Sequence, residues 1–567
     1  MFVVFTLAFL GMASRLFVLQ IVEGPEYSKL AVAQRDSVIT FPARRGAILD
    51  REGEALAISI DLHTVWADPE HVEDPTGEAK QLAPVLGLDP VEVEQKLACD
   101  CRFQYLARQV GAKLAQKVAK LDLPGIYMEA EPKRYYPGRR LASHVLGFVD
   151  IDGRGLEGIE AQYDEILTGT PGSMTLEQDP AGRPLPQAEF HYERPEPGRS
   201  LLLTIDKELQ YFTQATLQQA TQRFHAEAGT AIVMKPQTGE ILALANTPDF
   251  DPNKAGTFND PERRNKAVTD VYEPGSAYKI VAASGALEEG VVGPRTTFTV
   301  PDSFAYSDRV FHDSHPHPTE KMTVKEIIEQ SSNVGTIQIG LRLGGKKLDG
   351  YVRRFGFASK TGLDFPGESP GIVLDRKDWT GPTIATIPIG QGIAVTPLQM
   401  AAAYSTIANK GKWIEPKLLA ATMSEAGRAE ASPPPARRRV ISRSTATKMT
   451  DILTGVTDEG TGLEAQIPGY AVAGKTGTAQ KPLPTGGYGN AYTGSFAGFA
   501  PANRPALVVI VVLDDPSPIW GGSTAAPTFK TIMEFALRHF GVAPNGNAEK
   551  AAREIQAEQA GDAATYD

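Results

Sequence analysis

Residues 272–279 have the sequence Tyr-Glu-Pro-Gly-Ser-Ala-Tyr-Lys, and an apolar run, Ile280–Leu287, follows them. The Pro-Gly pair favours a turn before a helix, which places Ser276 at or near the helix N-terminus. Side chains three residues apart share one face of a helix, so we expect the Ser276 hydroxyl beside the Lys279 amine. A serine becomes a nucleophile when a neighbouring base takes its proton, and a partly desolvated lysine can be that base. A capping serine followed by a solvated lysine gives the same pattern, so this motif alone is a weak signal.

Two further polar motifs lie downstream along the chain. The stretch Thr323-Val-Lys-Glu326 has the spacing of a capping box, and the short helix that it predicts ends at Ser331-Ser-Asn333. A polar triplet in this place is usually a C-terminal helix cap. Residues Tyr470–Gly474 favour a strand that leads into Lys475-Thr-Gly-Thr478, where a glycine allows a substrate backbone to approach closely. Each of these motifs is also weak by itself.

The pattern around these motifs indicates an α+β domain. Gly229–Met234 and Glu240–Ala245 are rich in β-forming residues, and Pro236-Gln-Thr-Gly239 between them has the composition of a hairpin turn. Ala506–Leu513 predicts a further buried strand, and Thr528–Phe540 predicts an amphipathic helix. Antiparallel strands at both ends of a domain, with helices between them, are typical of the α+β class.

The N-terminal part of the chain differs from the rest. The first 22 residues carry one charge, Arg15, and are otherwise almost wholly apolar. An apolar helix of this length is long enough to cross a bilayer. A cleaved signal peptide and a buried core helix are the alternatives, although no basic stretch precedes the apolar run. Two prolines and a glycine within Glu193–Gly198 indicate a linker. We therefore expect the following segments: a transmembrane anchor at 1–22, a mixed pedestal domain at 23–198, a second domain at 199–543 with a surface loop at 424–439, and a disordered tail at 544–567.

Composition excludes several classes of protein. At 567 residues the chain is too long for one compact core, and its net charge of −11 argues against a broad nucleic-acid-binding face. The two cysteines, Cys99 and Cys101, are too few for a disulfide framework and lack the spacing of a zinc site. We interpret them as structural or incidental, with a local bond between them as the alternative.

A histidine cluster suggests a second kind of site. His312, His315 and His317 are three of only nine histidines in the chain. Metal binding would require them to converge, and Pro316 makes a regular helical array of these side chains unfavourable. A structural or exposed loop is therefore favoured over a metal site.

The three motifs occur in the order Ser-x-x-Lys, Ser-x-Asn, Lys-Thr-Gly that defines the penicillin-recognising serine enzymes. In this combination the chain resembles the class B penicillin-binding proteins, and among them the cell-division D,D-transpeptidases of peptidoglycan. The resemblance extends to about Val542 and implies a penicillin-binding or serine β-lactamase-like domain after a dimerisation-type pedestal. Beyond the motifs, these stretches carry it: 44–53 (RRGAILDREG), 134–138 (RYYPG), 155–160 (GLEGIE) and 390–399 (GQGIAVTPLQ).

The resemblance implies a catalytic set of four residues. Ser276 would open the D-Ala–D-Ala bond and become acylated, and Lys279 would be the base of that step. Ser331 would relay a proton between the reacting amine and the lysines. Lys475 would shape the electrostatics of the site.

It also implies a substrate-binding set. Asn333 would hydrogen-bond the peptide chain of the substrate, and Thr476 and Thr478 would bind its terminal carboxylate beside Gly477. The backbone N–H groups of Ser276 and Thr478 would form the oxyanion hole. This chemistry needs no metal and no cofactor.

Alternatives to the leading interpretation differ in the fate of the acyl-enzyme or in cellular role. A serine β-lactamase of class A adds a base in a Glu-x-x-Leu-Asn loop, and the dipeptide Leu-Asn does not occur in the chain. A β-lactam sensor would need a signalling segment, and an elongation-type transpeptidase would share every motif. Residues 23–200 contain no Glu-Asp-x-x-Phe motif of a glycosyltransferase domain.

The resemblance also implies the partners and the location of the protein. Its substrates would be stem peptides, its inhibitors β-lactams, and its protein partners a membrane glycosyltransferase and other division proteins. It would act at the outer face of the inner membrane, at the division site.

Overall fold

The computed structural model describes residues 1–24, 27, 36–101, 103–177, 191–483 and 485–544. The predicted tail lies outside the described residues, except for its first residue, Pro544. The chain divides into two compact units that interleave along the sequence. The first unit contains Met1–Gly46, Ser59–Arg134 and Glu165–Arg199, and the second contains Ala47–Ile58, Tyr135–Asp164 and Ser200–Asp567. Two stretches of the predicted pedestal segment, 47–58 and 135–164, therefore belong to the second unit.

The first unit begins with an apolar helix. An α-helix, Phe2–Phe17, continues into a π-helical turn, Val18–Val22, and none of these side chains is buried. The whole helix has 21 residues and a mean hydropathy of 2.1. At 1.5 Å per residue it is about 31 Å long, which matches the hydrocarbon thickness of a bilayer. The helix is therefore long and apolar enough to cross a membrane once.

The rest of the first unit combines helices with β-strands. Two helices, Pro75–Leu86 and Pro90–Leu97, each begin at an Asp-Pro pair whose aspartate accepts a hydrogen bond from the first turn. Their apolar faces pack on strand residues such as Val65 and Leu106. A disulfide joins Cys99 to Cys101, which is the alternative that the sequence interpretation placed second. The other elements are strands Asp36–Phe41, Ala55–Ala67, Gln104–Val110, Ile126–Tyr135, Gly172–Glu177 and His191–Glu193, and helices Pro69–His71, Ala112–Ala119 and Asp164–Thr168.

The second unit is built on a five-stranded antiparallel sheet, which we name the central sheet. Its strands lie in the order Ile241–Thr247, Ala228–Met234, Leu507–Asp514, Tyr488–Ala500 and Ala473–Pro482. This confirms the predicted hairpin and the predicted C-terminal strand. The hairpin turn needs glycine at Gly239, which has a φ of +76° and lies where a Cβ would be 2.2 Å from the Glu415 carbonyl oxygen.

Both faces of the central sheet are covered by helices. On one face, Lys207–Arg223 and Ala525–His539 bury apolar side chains against strand residues such as Val511. On the other face lies Pro397–Ala408, whose side chains are all buried. The observed architecture is thus the α+β class that the sequence predicts, with the motif-bearing helices on the second face.

The remaining elements of the second unit lie outside the central sheet. The predicted surface loop at 424–439 is exposed, but it contains two strands, Ala429–Ala431 and Arg437–Arg439, because its backbone pairs with Leu419–Met423 and Lys412–Ile414. The other strands are Ile48–Leu49, Ser200–Leu203, Thr297–Val300, Ser303–Tyr306, Arg309–His312 and Glu320–Thr323. The other helices are Ser143–Leu146, Gly158–Gln162, Pro252–Thr257, Asp260–Arg263, Lys266–Thr269, Gly275–Tyr278, Lys279–Glu288, Val324–Glu329, Asn333–Leu343, Gly345–Arg354, Arg376–Asp378, Thr383–Thr386, Ile387–Ile389, Arg443–Asp458 and Leu463–Ala465.

Candidate active site

Ser276 lies at the start of a helix, as predicted. A 3-10 turn, Gly275–Tyr278, continues into the α-helix Lys279–Glu288. Gly275 has a φ of +52°, and a Cβ there would be 2.8 Å from the carbonyl oxygen of Thr478. Only glycine fits both the backbone conformation and this close approach. The Pro-Gly turn therefore brings Ser276, which is half-buried, next to the Lys-Thr-Gly strand.

Lys279 joins the first motif to the second. Its side chain has no exposed area. Its Nζ donates hydrogen bonds to Asn333 Oδ1 at 2.8 Å, to Ser331 Oγ at 3.3 Å and to the Ser331 carbonyl oxygen. Burial, with a smaller contribution from the charge of Lys475, holds the pKa of Lys279 well below its ordinary value of 10.5. A lowered pKa favours the neutral amine, which is the form able to accept a proton.

The Ser-x-Asn motif connects two helices. The capping box at Thr323 and Glu326 is confirmed, and its helix, Val324–Glu329, ends just before Ser331, which has a φ of +62°. The next helix begins at once with Asn333. The triplet is therefore both the end of one helix and the start of the next, and this turn aims Ser331 and Asn333 at the Lys279 amine.

Asp313 holds this motif in place, and sequence reasoning missed it. Its Oδ2 accepts a hydrogen bond from Ser332 Oγ at 2.7 Å, and its Oδ1 accepts from the backbone N–H groups of Asn333 and of Val334, the latter at 2.9 Å. The carboxylate is 7% exposed and lies at the N-terminus of the helix that Asn333 opens, where negative charge is favoured. The residue lies 20 positions before Asn333, so only the fold brings the two together.

The histidine cluster lies in the same loop. His312 and His315 are exposed, and the His312 carbonyl oxygen accepts a 3.0 Å hydrogen bond from Asn333 Nδ2. His317 lies 3.1 Å from Asp313 Oδ2 through Nε2. Among the described residues, no group of three or more His, Cys, Asp or Glu side chains is arranged to hold a metal ion. Of the three side chains, His317 thus contacts Asp313, whereas His312 and His315 are exposed.

The third motif contributes a second buried amine. Lys475 lies in the strand Ala473–Pro482 and is 0% exposed. Its Nζ donates to Thr461 Oγ1 at 3.1 Å and to Thr476 Oγ1 at 3.2 Å. Burial lowers the pKa of Lys475 to about 7. Two amines with lowered pKa values therefore lie in the interior of one site, which is typical of functional positions.

The neighbouring residues of this strand have different surroundings. The Thr476 hydroxyl is buried and shares a 2.9 Å hydrogen bond with Thr461 Oγ1. Thr478 is half-buried, and its Oγ1 accepts a 3.1 Å hydrogen bond from the N–H of Gly521. At Gly477 a Cβ would lie 2.7 Å from the Pro274 carbonyl oxygen, so this glycine allows the strand to pack against the Ser276 segment.

Comparison with known families agrees with this geometry. Residues 229–534 match the model of the penicillin-binding protein transpeptidase domain, and residues 40–203 match that of the penicillin-binding protein dimerisation domain. The first match contains all three motifs, and the second covers most of the predicted pedestal.

Individual relatives are similar over most of their length. The chain is 35% identical to stage V sporulation protein D of Bacillus subtilis, covering 95% of this chain and 85% of the relative. It is 34% identical to the peptidoglycan D,D-transpeptidase FtsI of Escherichia coli, covering 88% and 84%. The crystal structure of penicillin-binding protein 3 from Mycobacterium tuberculosis, complexed with aztreonam, superposes with a TM-score of 0.72 at 32% identity, covering 90% of this chain and 98% of that one. Motifs, fold and relatives therefore agree that the chain belongs to the class B penicillin-binding proteins and is a serine-type peptidoglycan D,D-transpeptidase.

Proposed function

We propose that Ser276 is the nucleophile of this transpeptidase and that Lys279 is its general base. The observation that carries the proposal is the placement of a fully buried Lys279 amine one helical turn after Ser276, with Ser331 and Asn333 as its hydrogen-bond partners. An ammonium group in this place lacks a carboxylate among those partners, and burial favours its neutral form. The neutral amine is the form that takes a proton.

The first half-reaction forms an ester on Ser276. Ser276 Oγ attacks the carbonyl carbon of the penultimate D-Ala, and its proton passes to Lys279 Nζ. The carbon–nitrogen bond to the terminal D-Ala then breaks. That nitrogen receives a proton through the Ser331 hydroxyl, which lies 3.3 Å from Lys279 Nζ, and D-Ala leaves as the free amino acid.

The second half-reaction transfers the acyl group. An amine of a second stem peptide attacks the ester, gives up a proton through Ser331 and Lys279, and releases Ser276 with its hydroxyl restored. The product is a peptide cross-link between two strands. A β-lactam contains a cyclic amide that takes the place of the scissile peptide bond. Opening of this ring by Ser276 would acylate the serine in the same way.

The binding residues divide into two groups by their surroundings. Thr478, which is half-buried, would bind the terminal carboxylate, and Thr476 would act in the same subsite through the hydroxyl it shares with Thr461 and Lys475. Asn333 Oδ1 accepts from Lys279 and Nδ2 donates one hydrogen bond to the His312 carbonyl oxygen, so the second N–H of this amide would be the donor to the substrate. Lys475 would set the charge beside the carboxylate, and the N–H groups of Ser276 and Thr478 would stabilise the oxyanion.

We further propose that the enzyme works in septal cell-wall synthesis. The N-terminal helix would anchor it in the inner membrane, with the pedestal and the transpeptidase domain on the outer side and the predicted boundary near residue 198. The support is the resemblance to the division-type members of the family, together with the similarity to FtsI of E. coli. Because residues 23–200 lack a glycosyltransferase motif, strand polymerisation would belong to a membrane glycosyltransferase of the division machinery.

The nucleophile is tested by covalent labelling. The purified full chain is treated with a fluorescent penicillin and examined by intact mass and peptide mapping. We expect one adduct on Ser276, none in Ser276→Ala, and normal labelling in the control Ser444→Ala, which changes an exposed serine of the helix Arg443–Asp458. Labelling of Ser276→Ala at another serine would overturn the assignment.

The cellular role is tested by location. A fluorescent fusion of the full chain is imaged in growing cells of its own species. Signal concentrated at midcell during constriction supports the septal role. Signal spread along the side wall would instead favour an elongation-type transpeptidase, and signal confined to sporulating cells would favour a role like that in the name of the B. subtilis relative.

A further inference from the structure

Glu273, three residues before Ser276, is the point at which three segments of the second unit meet. Its Oε1 accepts a 3.0 Å hydrogen bond from the N–H of Gly392. The Tyr488 hydroxyl donates to the same carboxylate, 3.2 Å from Oε1 and 3.1 Å from Oε2. Neither contact involves a residue of the three motifs.

One of these segments, Gly390–Val395, is hydrogen-bonded to the residues that precede Ser276. Tyr272 and Val395 exchange two backbone hydrogen bonds of 3.0 and 2.9 Å, and the N–H of Gly275 donates to the Gly390 carbonyl oxygen at 3.2 Å. The Glu273 carboxylate adds a bond to Gly392 between them. The stretch that leads to Ser276 is thus fixed to Gly390–Val395 at three successive places.

The third segment is the far end of the hairpin that carries the Lys-Thr-Gly motif. Tyr488 is the first residue of the strand Tyr488–Ala500 and pairs with Pro482, the last residue of the strand Ala473–Pro482. Pro482 lies four residues beyond Thr478, which is about 13 Å at 3.3 Å per residue. The Tyr488–Glu273 bonds therefore connect this outer end of the hairpin directly to the nucleophile segment.

A cavity lies beside the contact between Glu273 and Tyr488. A cavity of about 460 Å³ is lined by both sides of the junction, including Tyr272, Glu273, Gln480 and Pro482. Protein interiors are normally close-packed, and packing fixes the position of a strand. Where a cavity replaces packing, hydrogen bonds decide the position, so the bonds to Glu273 have more influence here than they would in a filled core.

The chemistry of the pair suits a lasting contact. Burial, together with the charge of Glu273, raises the pKa of Tyr488 to about 12, so the phenol remains a hydrogen-bond donor throughout the working pH range. Hydrogen bonds to a charged acceptor are about twice as strong as neutral ones. Tyr488 is 41% exposed, so its own burial contributes little to the stability of the fold.

We propose that Glu273 and Tyr488 form a tether that sets the distance between Ser276 and the Lys-Thr-Gly strand. Both are positioning residues, since neither contacts the reacting atoms. The tether matters because the backbone N–H groups of Ser276 and Thr478 would have to reach the same oxyanion, and small errors in such geometry slow a reaction strongly. The inference rests on the proposed role of Ser276 as the nucleophile.

The test compares Tyr488→Phe, Glu273→Ala, Glu273→Gln and the double variant Tyr488→Phe/Glu273→Ala in the detergent-purified full chain. The control is Tyr211→Phe, which removes the hydroxyl of a tyrosine that is 66% exposed. For each protein, the acylation rate constant at saturating penicillin, the penicillin binding constant, the unfolding midpoint and the amide exchange of residues 478–481 are measured.

We expect Tyr488→Phe to slow acylation about three- to tenfold, because the Tyr488 hydroxyl belongs to a partly exposed side chain and its hydrogen bond then contributes no more than an ordinary net hydrogen bond. Penicillin binding before acylation and the unfolding midpoint should stay close to the parent values, and amide exchange in 478–481 should increase. Glu273→Gln keeps an acceptor oxygen and should restore most of the rate lost in Glu273→Ala. The double variant should be no slower than Glu273→Ala alone, because both changes remove the same contact.

Parent-like acylation by Tyr488→Phe would overturn the tether, as would multiplicative effects in the double variant or a rate loss that merely tracks a lowered unfolding midpoint. If Glu273→Ala does not fold, Tyr488→Phe alone decides, since it removes a single partly exposed oxygen. Labelling of the parent at Ser276, and its absence in Ser276→Ala, tests the nucleophile separately. The two ideas can therefore fail independently.

Discussion

The Nζ of Lys279 lies 2.8 Å from the side-chain oxygen of Asn333, a residue 54 positions further along the chain. The bond joins the first motif to the second and leaves the lysine with three oxygen acceptors and no carboxylate among its hydrogen-bond partners. Such a lysine is positioned by its surroundings while burial lowers its proton affinity. Both properties are needed in a general base.

Replacement of Lys279 by Met tests this role. Met preserves most of the volume of the buried chain and removes the amine, so we expect acylation by penicillin to fall about 100-fold or more, the usual range of general-base catalysis. The rate is measured by stopped-flow or by gel with a fluorescent penicillin. The control Lys325→Met changes a lysine that is 52% exposed and should acylate normally. Parent-like acylation by Lys279→Met would exclude Lys279 as the base.

The lowered pKa of Lys475 predicts how stability depends on pH. The folded protein releases this proton near pH 7, whereas the unfolded chain keeps it up to the ordinary lysine pKa of 10.5. Between these values the unfolded state binds more protons, so the free energy of unfolding rises with pH, by up to about 1.4 kcal/mol per pH unit from this group. This contribution of Lys475 to the free energy of unfolding is fully present above the ordinary pKa of 10.5 and is lost as the pH falls from there through the folded pKa of about 7.

Urea unfolding at several pH values between 7 and 10 measures this effect. We expect Lys475→Met to have a flatter pH dependence than the parent protein, because the variant has no proton to release at this position. Lys325→Met, which changes an exposed lysine, should keep the slope of the parent. Equal slopes for the parent and Lys475→Met would show that Lys475 keeps an ordinary pKa in the folded state.

Asp313 should matter for catalysis although it belongs to none of the three motifs. The Asp313 carboxylate accepts hydrogen bonds from Ser332, Asn333 and Val334. Asp313→Asn removes its negative charge and replaces one acceptor oxygen by an NH2 group, which is a donor and cannot accept these bonds. We expect acylation to slow about ten- to a hundredfold, because hydrogen bonds to a charged group contribute about 1.5–3 kcal/mol each. Asp308→Asn, in an exposed turn of the same region, is the matched control. An unchanged rate in Asp313→Asn would mean that the motif keeps its geometry without this carboxylate.

The parts of the site that could be predicted from sequence depend on short spacings. Ser276 and Lys279 lie one helical turn apart, so their proximity results from the helix that the Pro-Gly turn begins. The capping box at Thr323 and the hairpin turn at Gly239 are local in the same way. Each of these features is indicated by three or four neighbouring residues of the sequence.

The other parts depend on contacts between distant segments. Tyr488 reaches Glu273 across 215 positions, and Gly521 reaches Thr478 across 43. No periodicity or spacing carries such information. The surroundings of Thr476 show the same limit, because alternation along a strand indicates which residues share a face and leaves open which face is buried.

A β-lactam adduct on Ser276 should be long-lived. When the ring opens, the leaving nitrogen remains attached to the acyl group, so it stays in the site and obstructs an incoming amine. Release would then require an activated water, and the class A element that supplies such a base, Glu-x-x-Leu-Asn, does not occur in the sequence. The proposed base of acylation, Lys279, is fully buried and hydrogen-bonded to Ser331 and Asn333. We therefore expect the adduct to last far longer than one transpeptidation cycle.

This lifetime is measured by labelling the purified chain with a fluorescent penicillin, removing the excess and monitoring the adduct by gel and intact mass over hours. A class A β-lactamase in parallel provides the contrasting case, since its acyl-enzyme hydrolyses rapidly. Loss of the adduct within minutes, with repeated hydrolysis of fresh penicillin, would mean that water reaches the ester with a base beside it. The buried lysine would then have to serve deacylation as well as acylation, and the enzyme would have hydrolase activity toward β-lactams that its motifs do not predict.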